Sequence, residues 1–358
     1  MALIFLCFFC FIAVSSGAVS NRIGINYGHL GSNLPSPAQS IQLLQNMSIG
    51  RVKLYDADHE TLNLLSGKDI EVAITVANDE ISGIAANQHL ADQWVYEHVL
   101  AHYPGTKIRF VLVGNEVFTS INTPEDMQLA RDVLPAIRRI KNTIKAQGIR
   151  NIKIGTPLAM DMMETTFPPS NGSFKPEIRE LMVPLLRYLN GTRSYFFVDV
   201  YPYVTWFESQ VWNQTAINLG FALLRTGNEN YTDPQSGLVY TNLLDQMLDS
   251  VVYAMTKLGY DDVLLAISET GWPHEGESGA NRENAAEYNN NLIRKLAAVP
   301  SIGTPARPGE VIPTFIYALY DENQKYGPNT ERHWGLINPD GSPVYEVNIT
   351  AGIPHMRD

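Results

Sequence analysis

Residues 107–117 read KIRFVLVGNEV, and residues 263–273 read VLLAISETGWP. Each is a short apolar run that ends on one small polar residue and then a carboxylate. A run that is continuously apolar, rather than alternating, fits a strand buried on both faces. Six further runs have the same character, over residues 22–26, 51–55, 71–76, 153–156, 196–200 and 314–319. Helical patterns separate them, over 38–46, 92–102, 125–147, 176–190, 242–258 and 281–297, with weaker ones near 59–65 and after 319. Strands alternating with helices in this way predict an α/β protein, a single (β/α)8 TIM barrel. An open doubly wound sheet is the alternative. Gly24, Gly28 and Gly31 do not form its G-x-G-x-x-G turn, and no P-loop or G-x-S-x-G elbow follows a strand. The segment 206–241, after the sixth strand, is long for a βα connection and reads as an elaborated loop region that walls a cleft.

The ends of the chain bear on its destination. Residues 2–14, ALIFLCFFCFIAV, form an apolar run shorter than the roughly 20 residues that span a bilayer. Ser15, Ser16, Gly17 and Ala18 follow, the layout of a signal peptide over 1–18 with cleavage at about 17–20. One domain then occupies 19–358. Cys7 and Cys10 both lie in the removed segment, which excludes thiol catalysis and cysteine metal sites from the mature chain. A core of this size needs no disulfides. Six N-x-[ST] sequons, at Asn46, Asn171, Asn190, Asn213, Asn230 and Asn348, mark expected surface positions for glycans. The reading is a secreted monomer, extracellular or in a cell wall. The net charge of −11 argues against nucleic acid as a partner. No basic amphipathic helix suits a membrane surface, no membrane span is expected, and the last residues carry no apolar tail for a glycolipid anchor.

Catalytic groups of such barrels stand at the C-terminal ends of strands. There the fourth and seventh runs present Glu116 and Glu269. Neither run needs an acid for folding, and a partly buried charge is costly. Strands four and seven face each other across the barrel mouth. Two opposed carboxyls are what glycoside hydrolysis requires, one to protonate the leaving oxygen and one to attack or to activate water. Tyr27, Tyr55, Tyr201, Tyr203 and Trp272 sit at or near strand ends, where aromatic faces stack on sugar rings; core packing is the competing reading. Asn115 is placed to bond a sugar 2-hydroxyl. Glu97-His98 and His102 lack the H-E-x-x-H order of a zinc helix and read as a solvated helix face. No metal and no cofactor is expected.

Several segments together resemble the plant family 17 glycoside hydrolases, the endo-β-1,3-glucanases. They are Gly24-Ile25-Asn26-Tyr27-Gly28, Arg51-Val52-Lys53-Leu54-Tyr55-Asp56, Val113-Gly114-Asn115-Glu116, Asp199-Val200-Tyr201-Pro202-Tyr203, Ile267-Ser268-Glu269-Thr270-Gly271-Trp272-Pro273, Asp321-Glu322-Asn323-Gln324-Lys325 and Trp334-Gly335-Leu336-Ile337-Asn338-Pro339. The resemblance implies a retaining hydrolase of 1,3-β-D-glucosidic linkages in callose or fungal wall glucan. It makes Glu116 the acid/base and Glu269 the nucleophile, with Glu322, Lys325 and Glu331 as supporting polar groups. Lys325 is the expected partner that keeps Glu269 ionised. Trp334 and Ile337 stand where many relatives have Phe. Two other readings stay open, a mixed-linkage 1,3-1,4-β-glucanase and a non-catalytic glucan-binding barrel, although the presence of both glutamates argues against the latter.

Overall fold

The structure is a computed structural model that describes residues 23–119, 121–211, 216–227 and 229–349. The expected signal segment, its cleavage site and the sequon at Asn213 lie outside them. Nine parallel strands form the central sheet: β1 (Ile23–Tyr27), β2 (Arg51–Leu54), β3 (Glu71–Val76), β4 (Lys107–Val113), β5 (Lys153–Gly155), β6 (Pro157–Ala159), β9 (Tyr195–Asp199), β12 (Leu264–Thr270) and β13 (Thr314–Ile316). Their spatial order is β5-β4-β3-β2-β1-β13-β12-β9-β6. The two edge strands, β5 and β6, are successive pieces of one run broken at Thr156. The first piece pairs with β4 and the second with β9. The expected fifth strand therefore bends so that one segment serves both neighbours, and the sheet curls into a barrel of eight runs.

Among the described residues ten helices flank the strands: α1 (Pro37–Asn46), α2 (His59–Leu64), α3 (Ile81–Ala86), α4 (Gln88–Val95), α5 (Pro124–Ala146), α6 (Arg179–Thr192), α7 (Pro202–Val211), α8 (Leu219–Ala222), α9 (Leu243–Lys257) and α10 (Arg282–Ala297). Local chemistry sets several of their starts. Ser36 caps α1 while the Gln39 side chain reaches back to the cap, with Pro37 in the first turn. Thr123, Pro124 and Asp126 do the same for α5. Asn281 caps α10, which ends on Arg294 and Lys295 beside its negative pole.

Several boundaries differ from expectation. The helix expected over 92–102 starts at Gln88, where Asn87 caps it, and its last part, Tyr96–Leu100, widens to π-helical geometry. The helical face carrying His98 and His102 is not solvated. His102 is buried, His98 is half-buried, and the His102 ring meets His59 at 3.0 Å. After Leu319 the expected helix is replaced by a 3-10 turn, Asn329–Arg332. There the chain spends its backbone groups on the end of β13, with Leu336 N donating to Ala318 O and Ile337 N to Leu319 O. The region 206–241 holds the end of α7, α8 and the hairpin of β10 (Tyr231–Thr232) with β11 (Val239–Tyr240). A second small hairpin pairs β7 (Met163–Thr165) with β8 (Ser173–Phe174).

Two apolar assemblies hold the barrel. The larger lies between strands and helices. The smaller fills the barrel interior with Ala73, Phe110, Leu112, Tyr195, Phe197, Ala266 and Phe315. Along β2 the side chains alternate, as a strand requires. Val52 and Leu54 join the outer core. Arg51 and Lys53 turn inward and are fully buried. Arg51 lies over the Phe110 and Phe315 rings at 5.6 and 5.9 Å and pairs with Glu71 at 2.8 Å. Among the described residues no helix is long and apolar enough to cross a membrane.

Candidate active site

The corner after β4 is made by three residues with separate tasks. Gly114 has φ +74°, and a Cβ there would press on the Val117 and Ile81 side chains at 2.6 and 2.7 Å. Asn115 is pinned through its backbone, its N–H donating to Asn78 Oδ1 at 2.8 Å while Asn78 Nδ2 donates to its carbonyl at 3.1 Å. Glu116 itself takes a left-handed conformation, φ +52°, which costs about 1–2 kcal/mol for an L-residue. Its N–H donates to Pro157 O at 3.2 Å, so the bent fifth run braces the corner.

Across the mouth, β12 carries an irregularity that aims Glu269. Ile267 pairs with Val198 of β9, but Glu269 pairs with Asp199, a shift of register at Ser268. Such bulges re-aim side chains. Ile267 packs into the outer core, whereas Glu269 meets polar groups inside the mouth. Lys53 Nζ donates to its Oε1 at 2.7 Å, Tyr55 OH to Oε1 at 2.6 Å and Tyr201 OH to Oε2 at 2.7 Å. Lys53 also donates to Asn115 Oδ1 at 3.3 Å and lies over the Tyr55 ring at 4.4 Å. One carboxylate oxygen each of Glu116, Asp199 and Glu269 lie within 4.8 Å of one another.

These surroundings push the two glutamates apart. Burial acts against ionised Glu269, but the Lys53 charge and the hydrogen bonds from Lys53, Tyr55 and Tyr201 overcome it and hold the carboxyl below the usual glutamate range. Burial and the nearby Glu269 charge push Glu116 up to about 7, against the opposing pull of Lys53 and of a hydrogen bond with Asp199. A proton donor and an ionised carboxylate therefore face each other near neutral pH.

The expected site residues fall into three groups. Glu116, Asn115, Tyr55 and Tyr201 gather around Glu269. Glu322, Lys325 and Glu331 instead gather around Tyr317. Tyr317 OH donates to Glu322 Oε2 at 2.6 Å and receives Lys325 Nζ at 2.5 Å, and Lys325 lies 3.6 Å from Glu331. Glu322 also accepts from Leu30 N at 2.8 Å and fills the space that a Cβ on Gly28 would need. Lys325 is thus not the cation of Glu269; Lys53, fully buried on β2, is. The third group does not offer free faces for sugar. Trp272 is fully buried against Tyr203, Trp206 and Tyr288, its Nε1 donating to Gly279 O at 2.9 Å. Tyr27 is equally buried, edge-on to Tyr320, and Tyr203 is buried with them. Sequence reasoning missed Lys53 and Asp199. The signal for Lys53 was the alternation of Arg51, Lys53 and Tyr55, and that for Asp199 was a carboxylate ending the sixth run.

Beside Glu116 opens a cleft of about 1040 Å³, lined by Phe167, Tyr201, Phe221, Asn230 and Tyr231 among others. The region 206–241 supplies much of its wall, as the length of that connection implied. Tyr201 packs edge-on against Trp334 at 4.9 Å.

A parallel barrel with two carboxyls of opposite protonation at its mouth, beside a long cleft, is the arrangement of a glycoside-cleaving barrel hydrolase. The chain belongs to the glycosyl hydrolases family 17, whose profile matches residues 23–349. A probable glucan endo-1,3-beta-glucosidase of Arabidopsis thaliana is 54% identical over 340 residues, 94% of this chain and 69% of that protein. A glucan endo-1,3-beta-D-glucosidase of Olea europaea is 34% identical over 352 residues, 97% of this chain and 74% of that one. The chain spans 69% of the length of that first Arabidopsis relative and 64% of another, glucan endo-1,3-beta-glucosidase 13. Among solved structures, a beta-1,3-glucanase and allergen of Cryptomeria japonica pollen superposes with a TM-score of 0.85 at 37% identity, covering 92% of this chain and 99% of that one. One of two plant beta-glucan endohydrolases with distinct substrate specificities gives 0.81 at 32% identity, covering 91% and 99%.

Proposed function

We propose that this protein is a secreted endo-acting hydrolase of 1,3-β-D-glucosidic linkages that retains anomeric configuration. The carrying observation is the approach of Glu116 and Glu269, whose nearest oxygens lie within 4.8 Å. Retaining enzymes hold their carboxyls about 5–5.5 Å apart, whereas inverting ones leave roughly 6.5–9.5 Å for a water. The endo-1,3 linkage rests on the names of the relatives. Secretion rests on the apolar segment at residues 2–14 and the sequons.

In this reading Glu116 protonates the leaving glycosidic oxygen while Glu269 attacks the anomeric carbon. Tyr55 and Tyr201, which hold the free carboxylate, orient its attacking oxygens. Glu116, now ionised, takes a proton from water, whose oxygen displaces Glu269 and restores it. Asn115, tethered to Lys53, stands beside the reacting carbon to meet a sugar hydroxyl. Tyr317, with Glu322, Lys325 and Glu331 behind it, supports Tyr55 and Tyr201 through edge contacts, each at 6.3 Å. Glu269→Ala abolishes hydrolysis, and azide restores turnover with an inverted product, because a small anion fits the vacated space. Glu116→Ala spares activated aryl glycosides far more than glucan, since they need little acid help. An initial α-configured product from the unaltered enzyme would overturn the mechanism.

The mixed-linkage reading is kept for one reason: a close structural neighbour comes from a pair of endohydrolases with distinct substrate specificities. Product analysis on a linear 1,3-glucan and a cereal 1,3-1,4-glucan separates the two readings.

A further inference from the structure

Asp199 ends β9 beside both glutamates and has no place in the mechanism above. It is 2% exposed. Ser268 Oγ donates to its Oδ1 at 2.5 Å, while no amide, ammonium or hydroxyl donor of the described residues reaches its buried Oδ2, which leaves the neighbouring carboxyls as its hydrogen-bond partners. What the Asp199 carboxyl has nearby is two more carboxyls, one oxygen of each of the three lying within 4.8 Å of the others. The facing groups can be counted. Glu116 comes from the β4 corner, Ser268 and Glu269 from β12, Lys53 from β2, and Tyr55 and Tyr201 complete the ring; Asp161 lies further out, near Glu116. Lys53 is the single cation in that count, and it is bonded to Glu269. Three ionised carboxylates around one ammonium would leave two buried negative charges uncompensated, which low-dielectric surroundings do not tolerate. A buried carboxylate oxygen without a donor is costly, whereas a carboxyl O–H beside an acceptor is satisfied.

We propose that Asp199 is a positioning residue that carries a permanent proton on Oδ2 and donates it as a hydrogen bond to Glu116. This rests on the assignment of Glu116 as acid/base. Burial and the Glu269 charge both favour neutral Asp199. The proton of Asp199 does not move during the cycle. In the first step Glu116 loses its own proton to the leaving oxygen as the C–O bond breaks and the bond to Glu269 forms. Glu269 is then a neutral ester, and the Asp199 O–H is the donor that stabilises the new Glu116 carboxylate. In the second step Glu116 takes a proton from water, the water oxygen bonds the anomeric carbon and Glu269 leaves as carboxylate. Asp199 therefore acts mainly on the second half of the reaction, in which Glu116 is the base.

The test compares Asp199→Asn with Asp199→Ala on an activated aryl glycoside. Asn keeps a neutral donor where the O–H was, and Ala removes it. Ala slows breakdown of the glycosyl-enzyme by roughly 10²-fold, the usual effect of losing one donor to a developing charge. The intermediate then accumulates, and Asn recovers most of the loss. On unactivated glucan, whose cleavage needs the Glu116 proton, the basic limb of kcat/KM moves up in the Ala variant, because Glu116 loses a donor that favours its ionised form, and stays in place in the Asn variant. If Asp199 were ionised, both substitutions would remove a negative charge and the limb would move down, by about one unit or more; that result overturns the proposal. A difference infrared spectrum of Asp199→Asn against the unaltered protein at neutral pH provides a reading that does not need the Ala variant to fold. Loss of a protonated-carboxyl C=O band is expected, and loss of a carboxylate band overturns the idea. Glu116→Gln and Glu269→Gln run alongside as controls. If they keep full glucan hydrolysis, the functional assignment fails; if they lose it while the limb of Asp199→Asn falls, only the role of Asp199 fails.

Discussion

Lys53→Met is the most informative single substitution. It keeps the length and most of the volume of a fully buried side chain while deleting its charge. It leaves Glu269, 2.7 Å away in the unaltered protein, as a buried carboxylate without a cation. Removing one partner of a buried pair costs about 3–5 kcal/mol. At about 1.4 kcal/mol per tenfold, that lowers the ratio of ionised to neutral Glu269 by roughly 10²- to 10⁴-fold, and so moves the acid limb of kcat/KM up by about two to four pH units. The variant also has a stability signature of known sign. In the unaltered protein the Glu269 carboxyl is held below its ordinary range, so its contribution to stability is present at neutral pH and is lost as pH falls through the folded value. With Lys53 gone, burial dominates and the group is raised, so its penalty is absent in acid and grows as pH rises above the ordinary glutamate range. The slope of that penalty is at most about 1.4 kcal/mol per pH unit. Denaturant unfolding from pH 4 to 8, with hydrolysis followed over the same range, measures both effects. The double variant Lys53→Met/Glu269→Gln should regain much of the stability at pH 8, because neither charge is left. Additive effects in that cycle, or an acid limb of kcat/KM that Lys53→Met leaves in place, would refute the pairing argument.

Two further outcomes are expected. Hydrolysis of unactivated glucan should decline as pH rises through about 7, where Glu116 gives up its proton, and should decline again in acid once Glu269 is protonated; a pH–kcat/KM profile that stays flat above 8 contradicts the assignment of the acid. Protein recovered from a secreting plant host should begin between residues 18 and 21 and carry N-glycans at the exposed Asn46 and Asn348; N-terminal sequencing that finds Met1 on unglycosylated protein refutes the secretory reading.

The strands were legible because burial on both faces leaves continuous apolar runs, and because strand and helix patterns alternate in chain order. The break at Thr156 was not, since it reflects which neighbour each half pairs with, a tertiary choice. Glu116 and Glu269 were legible as acids that no apolar strand needs. Lys53 was hidden because its run, RVKLY, looks half polar; only a two-residue period shows that Arg51, Lys53 and Tyr55 share the barrel interior. Position at a strand end located Tyr27 and Trp272 but not the face they take, and both turned toward protein rather than solvent. Lys325 was named for its motif, which fixes the neighbourhood of Tyr317 and says nothing about which cation reaches Glu269.

Strand β1 pairs with β2 along one edge and with β13 along the other, Ile23 beside Thr314. Past these strands, Leu30 N is bonded to Glu322 and Ser32 N to Asn323. The first strand to leave the ribosome therefore waits for the last before its second edge is covered. During synthesis every intermediate length of this chain presents an unpaired edge.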